Sequence, residues 1–126
     1  MSYGQAELHT LLTDSSITAL VDSDNIYYDT VVPDEDVSAD TPTINYYRVG
    51  LVDGGLNYMQ TTYSVNCRNV SQATAEAVAR AVFDVLNRHE SSSVFFVVSV
   101  LPVIPPADPT DVYNSPVEVT AKGRSI

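Results

Sequence analysis

The apolar residues near the amino terminus recur at the spacing of a helix. Three leucines between Tyr3 and Leu12, at positions 8, 11 and 12, fall on one side of an α-helix. Ser15 or Ser16 can cap a short second turn, because a serine hydroxyl accepts a hydrogen bond from a backbone N–H of the first turn. The apolar residues of that turn are Ile17, Leu20 and Val21. The pattern predicts a helix, a kink and a short helix.

A longer helical stretch follows Ser71, which is a favourable N-cap residue. Its apolar residues form one stripe at helical spacing: Ala75, Val78, Ala79, Val82, Val85 and Leu86. Its other side alternates in charge through Glu76, Arg80, Asp84 and Arg88. The small alanines of the stripe allow a close approach to a sheet. We therefore expect a long amphipathic helix that covers one face of a sheet.

Strand-like segments, rich in β-branched and aromatic residues, occupy most of the remaining chain. The expected strands are Asn25–Val32, Thr43–Val52, Asn57–Arg68, Val94–Ile104 and Val112–Ala121. The turn Asp53-Gly54-Gly55 joins the second and third strands as a hairpin, because glycine supplies the positive φ of a tight turn. Pro116 places the last strand toward a sheet edge, since proline cannot donate to a ladder. The third strand alternates strictly between apolar and polar residues from Met59 onwards, which indicates one buried face.

These elements predict one α+β domain spanning residues 1–126. We expect a mostly antiparallel sheet of about four to five strands, packed against a long helix of the C-terminal half and a shorter N-terminal helix. The residues 122–126 are expected to form a flexible end. No internal repeat is present.

The run from Val94 to Leu101 is apolar on both alternations of a strand, although a sheet with helices on one face should alternate. One face of this strand is therefore expected to pack on the helices and the other to meet a second subunit or a covering segment. Tyrosines are also enriched in protein interfaces. The candidate assembly residues are Phe95, Phe96, Val98, Leu101, Tyr46 and Tyr47.

The chain is strongly acidic, with 16 Asp and Glu against 6 Lys and Arg and a net charge of −10. Such a charge repels nucleic-acid phosphates and anionic membrane surfaces. The residues 33–42 form an acidic loop with four carboxylates, Asp34, Glu35, Asp36 and Asp40. They lack the ligand spacing of a calcium site, so a solvated loop that faces a partner or a lumen is expected.

The sequence contains few candidate residues for catalysis or metal binding. Cys67 alternates with the apolar residues of its strand, which predicts a buried thiol, and His9 and His89 have no catalytic partner at a known spacing. No metal or cofactor motif is present, and no apolar run is long enough to span a bilayer. Asn69-Val70-Ser71 matches a glycosylation sequon, which we interpret as a chance match in a protein expected to be made in a cytosol. A non-enzymatic subunit without cofactors is expected.

The order of elements resembles the tail terminator (tail completion) proteins of long-tailed bacteriophages. The resemblance covers nearly the whole chain: NIYYDTVVP, the hairpin PTINYYRVGLVDGG and LNYMQTTYSVNCRN, and the helix SQATAEAVARAVFDVLNR. Its most telling part is YSVNCRN running through a short turn into that helix. The sequence departs from the family pattern in the proline-rich turn between Pro102 and Pro109.

The resemblance implies a structural virion protein of the tail or neck, assembled in the host cytoplasm. It implies a homo-oligomeric ring, usually a hexamer, that caps the tail tube protein and meets the head-completion or connector protein. DNA would pass through the lumen without being bound tightly. The alternatives are another neck or tube ring subunit, a cytosolic adaptor or binding module with no viral role, and a small hydrolase or metal-dependent enzyme that uses the acidic loop.

Overall fold

The computed structural model describes residues 4–29, 37–38, 41–53, 59–89, 94–106 and 112–123. The helices are α1 (Gln5–Leu12), α2 (Ser15–Thr18) and α3 (Gln72–Asn87), with a 3-10 turn at Ser23–Asn25. The strands are β1 (Ile26–Tyr28), β2 (Thr43–Asp53), β3 (Met59–Asn69), β4 (Val94–Val100) and β5 (Tyr113–Gly123). No helix of the described residues is long and apolar enough to cross a membrane.

The strands form one five-stranded sheet in the order β1-β2-β3-β5-β4. β1 is parallel to β2, and the other neighbouring pairs are antiparallel. The predicted α+β class, the mostly antiparallel sheet and the two helical segments are confirmed. The expected hairpin of β2 and β3 is present, although its turn at 54–58 lies outside the described residues.

The helix α3 packs against β3, β4 and β5 through the stripe expected from the sequence. Its start is set by Ser71, whose hydroxyl accepts a hydrogen bond of 3.3 Å from the Thr74 backbone N–H. All six residues of the stripe are buried. Since burying one valine or leucine side chain stabilises a fold by roughly 1.5–3 kcal/mol, this stripe is a principal source of the fold's stability.

The helix α1 lies on the same face of the sheet and buries Leu8 and Leu12. At its start Gly4 has a φ of 76°, and a Cβ built there would lie 2.7 Å from the Ala121 Cβ on β5. Position 4 therefore requires glycine both for its backbone conformation and for the close approach of α1 to the sheet. We call the sheet face covered by the helices the inner face and the opposite one the outer face.

Some expected boundaries are wrong. The first strand is only three residues long, because Asp29 has a φ of 59°, in the left-handed region where a strand cannot continue. Residues 30–32 of the expected strand lie outside the described residues. The cap of α2 is Asp14 rather than Ser15 or Ser16, since its carboxylate accepts a hydrogen bond of 2.9 Å from the Ser16 N–H.

The last strand, β5, is also placed differently from the prediction. It lies inside the sheet between β3 and β4 despite Pro116. The Pro116 carbonyl accepts from the Leu101 N–H at 3.0 Å, so the missing N–H of this proline points toward the same side, one residue beyond the end of β4. The ladder thus loses no bond within β4. The strand also continues through Lys122 and Gly123, which pair with β4 and β3 and so do not belong to a flexible end.

Candidate functional site

The edge strand β4 and the segment that follows it carry exposed apolar side chains that we call the edge strip. Its members and their exposed fractions are Phe95 52%, Val97 47%, Val100 45%, Leu101 38% and Ile104 55%. The register with β5 places Phe96 opposite Ala121 and Val98 opposite Val119, both buried residues of the inner face. Consequently Phe96 and Val98 pack against the core, and Phe95 and Val97 project from the outer face.

This arrangement divides the predicted assembly residues of β4. Phe95 and Leu101 lie on the surface, whereas Phe96 and Val98 are partly buried core contacts. A strand with apolar residues on both alternations therefore has one face on the helices, as its pattern indicates. The other face is open within the described residues.

The carboxyl end of β4 leads into a groove beside α3. Its volume is about 530 Å³, and its walls are the first half of α3 and the segment that follows β4. Leu101 and Val100 line it on one side and Glu76 and Arg80 on the other. The edge strip is thus continuous with a concave surface that has a charged rim, a combination common in protein interfaces.

The two tyrosines predicted for the interface lie on opposite faces of the sheet. Tyr46 is a core residue with 1% of its surface exposed, so the subunit does not present this predicted interface residue to a partner. Its register position opposite Val65 puts it on the inner face, where its hydroxyl lies 2.6 Å from the His9 Nδ1. Burial, with smaller contributions from Tyr28 and Tyr63, raises the pKa of Tyr46 to about 12.

Tyr47 is half-buried on the outer face and lines a polar pocket of about 220 Å³ with Asn45, Asn66, Arg68 and Asn114. The Asn114 amide nitrogen donates to the Asn66 side-chain oxygen at 2.9 Å. The side-chain oxygens of Asn45 and Asn114 are buried without a hydrogen-bond partner. Two unpaired acceptors at this pocket leave capacity for a donor from water or from another chain.

The sequence pattern did not predict a structural role for Asn69 at the end of β3. This residue is fully buried; its amide nitrogen donates to the Ser38 carbonyl at 2.7 Å, and its oxygen accepts from the Ser71 N–H at 2.9 Å. The side chain therefore joins β3, the segment at residues 37–38 and the start of α3. Both of its polar atoms are engaged, so the sequon match at this position reflects a structural asparagine.

The described residues include few side chains suited to a chemical reaction. Cys67 is fully buried, and burial raises the pKa of its thiol well above the ordinary range. The His89 Nε2 lies 3.4 Å from a Glu7 carboxylate oxygen. No group of three His, Cys, Asp or Glu side chains suited to a metal ion occurs among the residues that the structure describes. The predicted acidic loop residues, Asp34, Glu35, Asp36 and Asp40, lie outside the described residues.

The fold can be compared with known proteins once this geometry is in place. No protein-family model matches the sequence, and no curated protein matches it. Among solved structures, the chain is similar to one chain of the virion of a native gene transfer agent particle. The two share 17% sequence identity and superpose with a TM-score of 0.61, and the match covers 98% of this chain and 100% of the other. At this identity the similarity establishes the shared fold.

Proposed function

We propose that this chain is a structural subunit of a phage-like virion, similar to a tail terminator, that forms a ring on the end of the tail tube. The observation that carries the proposal is the fold similarity to a chain of a virion particle over nearly the full length of both chains. In this role the protein acts by assembly and needs neither a catalytic residue nor a cofactor. Its partners are further copies of itself, the tail tube protein and the head-completion or connector protein.

The edge strip supports the proposal because a subunit that assembles needs exposed apolar surface that its partners can bury. Monomeric proteins rarely expose a contiguous apolar patch of more than a few hundred Å². Here five large apolar side chains are exposed on β4 and the segment after it, and two of them, Val100 and Leu101, line the groove beside α3. We propose that Phe95 and Leu101 contact the neighbouring subunit of the ring.

The charge of the chain is compatible with a ring that DNA crosses. At a net charge of −10 the subunit repels the phosphate backbone, so that DNA slides through a lumen without adhering to its wall. The acidic loop, with Asp34, Glu35, Asp36 and Asp40, is proposed to face the lumen or a partner. We therefore propose a position in the tail or neck of the particle.

Another neck or tube ring subunit is the second candidate, because the similarity is to a chain of a whole particle. A cytosolic adaptor is separated from both by the absence of rings. Size-exclusion chromatography with light scattering and negative-stain images, with and without tail tubes of the same virus, tests the proposal. Rings on tube ends support the terminator, incorporation along the tube supports a tube subunit, and a protein that forms no ring with tubes contradicts both.

Two phenylalanine variants sharpen the test. Phe96→Ser removes a side chain that packs on the core and is expected to lower the free energy of unfolding by about 3 kcal/mol. Phe95→Ser alters an exposed side chain and should fold normally but fail to join the ring. If both variants fold and assemble like the parent, β4 is not the assembly surface.

A further inference from the structure

The strand β4 is an edge of the sheet, with no second strand beside it among the described residues. Among the described residues its only strand neighbour is β5, and seven consecutive pairs join the two without a register shift. Proteins usually protect such an edge with a charge, a proline or a bulge, since an open edge pairs with other chains. The segment Val94–Val100 contains none of these. By contrast, the opposite edge has a three-residue strand, and β2 bulges between Arg48 and Gly50.

The hydrogen bonds near the end of β4 show which backbone groups face outward. Leu101, the residue directly after β4, keeps the register of the strand and donates its N–H to the Pro116 carbonyl at 3.0 Å. Residues of a strand alternate in the direction of their N–H and C=O groups, so those of the odd-numbered residues of β4 face β5. The N–H and C=O groups of Phe96 and Val98 therefore face away from the sheet.

These groups and the strand's side chains are self-complementary. We infer that two copies of the free protein pair their β4 strands antiparallel about a two-fold axis at Val97, which joins the two sheets into one. In this register Phe96 of one copy lies opposite Val98 of the other, so the outward amides of both residues are satisfied. Phe95 lies opposite Ser99 of the second copy, and Val97 lies opposite itself. A slip in either direction shortens the ladder and leaves outward amides unpaired.

The charges beside β4 are compatible with this antiparallel arrangement. Glu118 pairs with Ser99 and Lys122 with Phe95 in the subunit. In the two-fold arrangement two rows across the joined sheet run from Glu118 of one copy to Lys122 of the other, about 14 Å apart at three strand spacings. Opposite charges thus end both of these rows, whereas a parallel in-register pairing would place Glu118 in the same row as Glu118 of the other copy.

The inference rests on the proposed function in one respect, that ring assembly must replace this pairing. An apolar edge exposed before assembly promotes aggregation, and the two-fold pairing covers it with a second copy until the tube is available. The dimer is therefore the stored form of the subunit, and Phe95 and Leu101 of the same strip contact the neighbour in the ring.

Engineered cysteines test the axis. Residues directly opposite in a non-hydrogen-bonded antiparallel pair have Cα atoms about 4.5 Å apart, within reach of a disulfide. Val97→Cys should give a disulfide-linked dimer under mild oxidation, whereas the two thiols of Phe95→Cys lie about 14 Å apart and should not link. The native Cys67 is buried, so the parent is an unlinked control. Linkage of Phe95→Cys as fast as Val97→Cys, or of neither, overturns the inference.

The mass of the free protein gives a second measurement. Light scattering should show two copies for the parent and one for Val97→Lys, which places a charge on the axis. Val49→Lys is the matched control, because Val49 is an equally exposed valine of the same sheet away from β4, and it should remain dimeric. A parent that is monomeric at every concentration tested, or a dimeric Val97→Lys, contradicts the pairing.

Assembly assays on tail tubes separate this inference from the proposed function. Reduced Val97→Cys should form rings, and the oxidised, linked protein should not. If Val97→Cys links on oxidation but forms no rings when it is reduced, the dimer is retained and the proposed function is rejected. If the linked protein forms as many rings as the reduced protein, β4 pairing does not cover the ring contact. That result would overturn the role of the dimer as a stored form.

Discussion

Replacing Asn69 with alanine tests the junction that joins β3, the segment at residues 37–38 and α3. The change removes one hydrogen bond to the Ser38 carbonyl and one from the Ser71 N–H. A buried partner left unsatisfied costs about 1–3 kcal/mol, but Ser38 is exposed and water can replace the lost donor there. The expected loss in the free energy of unfolding is therefore about 2–3 kcal/mol. For a domain of this size that corresponds to a lowering of Tm by about 8–12 °C.

The measurement is thermal and urea unfolding followed by circular dichroism, with Asn87→Ala as the matched control. Asn87 is exposed at the last residue of α3, so its replacement should change the free energy of unfolding by no more than about 0.5 kcal/mol. Asn69→Asp retains an acceptor for Ser71 but places a carboxylate against the Ser38 carbonyl, and it should be at least as unstable as the alanine variant. If Asn69→Ala has the same Tm and the same free energy of unfolding as Asn87→Ala, the structural role of the Asn69 side chain is refuted.

Three further outcomes are expected. Val82→Asp places a carboxylate in the core and should lower the free energy of unfolding by at least about 4 kcal/mol in urea titrations, whereas Ala77→Asp on the exposed side of α3 should not. Burial raises the pKa of Tyr46 from 10.0 to about 12, so the contribution of its hydroxyl to the free energy of unfolding is present below pH 10 and falls by about 2–3 kcal/mol as the pH rises to 12. The free energy of unfolding of Tyr46→Phe should fall less over the same pH range. Gel-shift titrations should detect no salt-sensitive micromolar binding to duplex DNA, since binding of that kind would contradict the charge argument.

Much of the fold follows from local patterns in the sequence. The stripe of α3 and its Ser71 cap are local features, and the alternation in β3 identifies Tyr63, Val65 and Cys67 as core residues. These are predictable because period and capping depend on neighbours in the chain. The place of β5 is not, because it depends on where β4 ends and on which side the missing Pro116 N–H faces.

The candidate surface could be predicted only in part for the same reason. The run Val94–Leu101 indicates surplus apolar surface, but only the register with β5 decides that Phe95 is outside and Phe96 inside. Tyr46 and Tyr47 look equivalent in sequence, and the pairing with β3 assigns them to opposite faces. The sequon at Asn69 gave no sign of its structural role, because one of its two hydrogen bonds is to Ser38, 31 residues earlier in the chain.

Electron microscopy of tail tubes incubated with the purified protein tests the central proposal most directly. The proposal predicts closed rings at tube ends from the parent and Val49→Lys proteins, and bare ends with the folded Phe95→Ser variant. Tube ends that stay bare with the parent, at concentrations where the protein is folded, would contradict a ring-forming virion subunit.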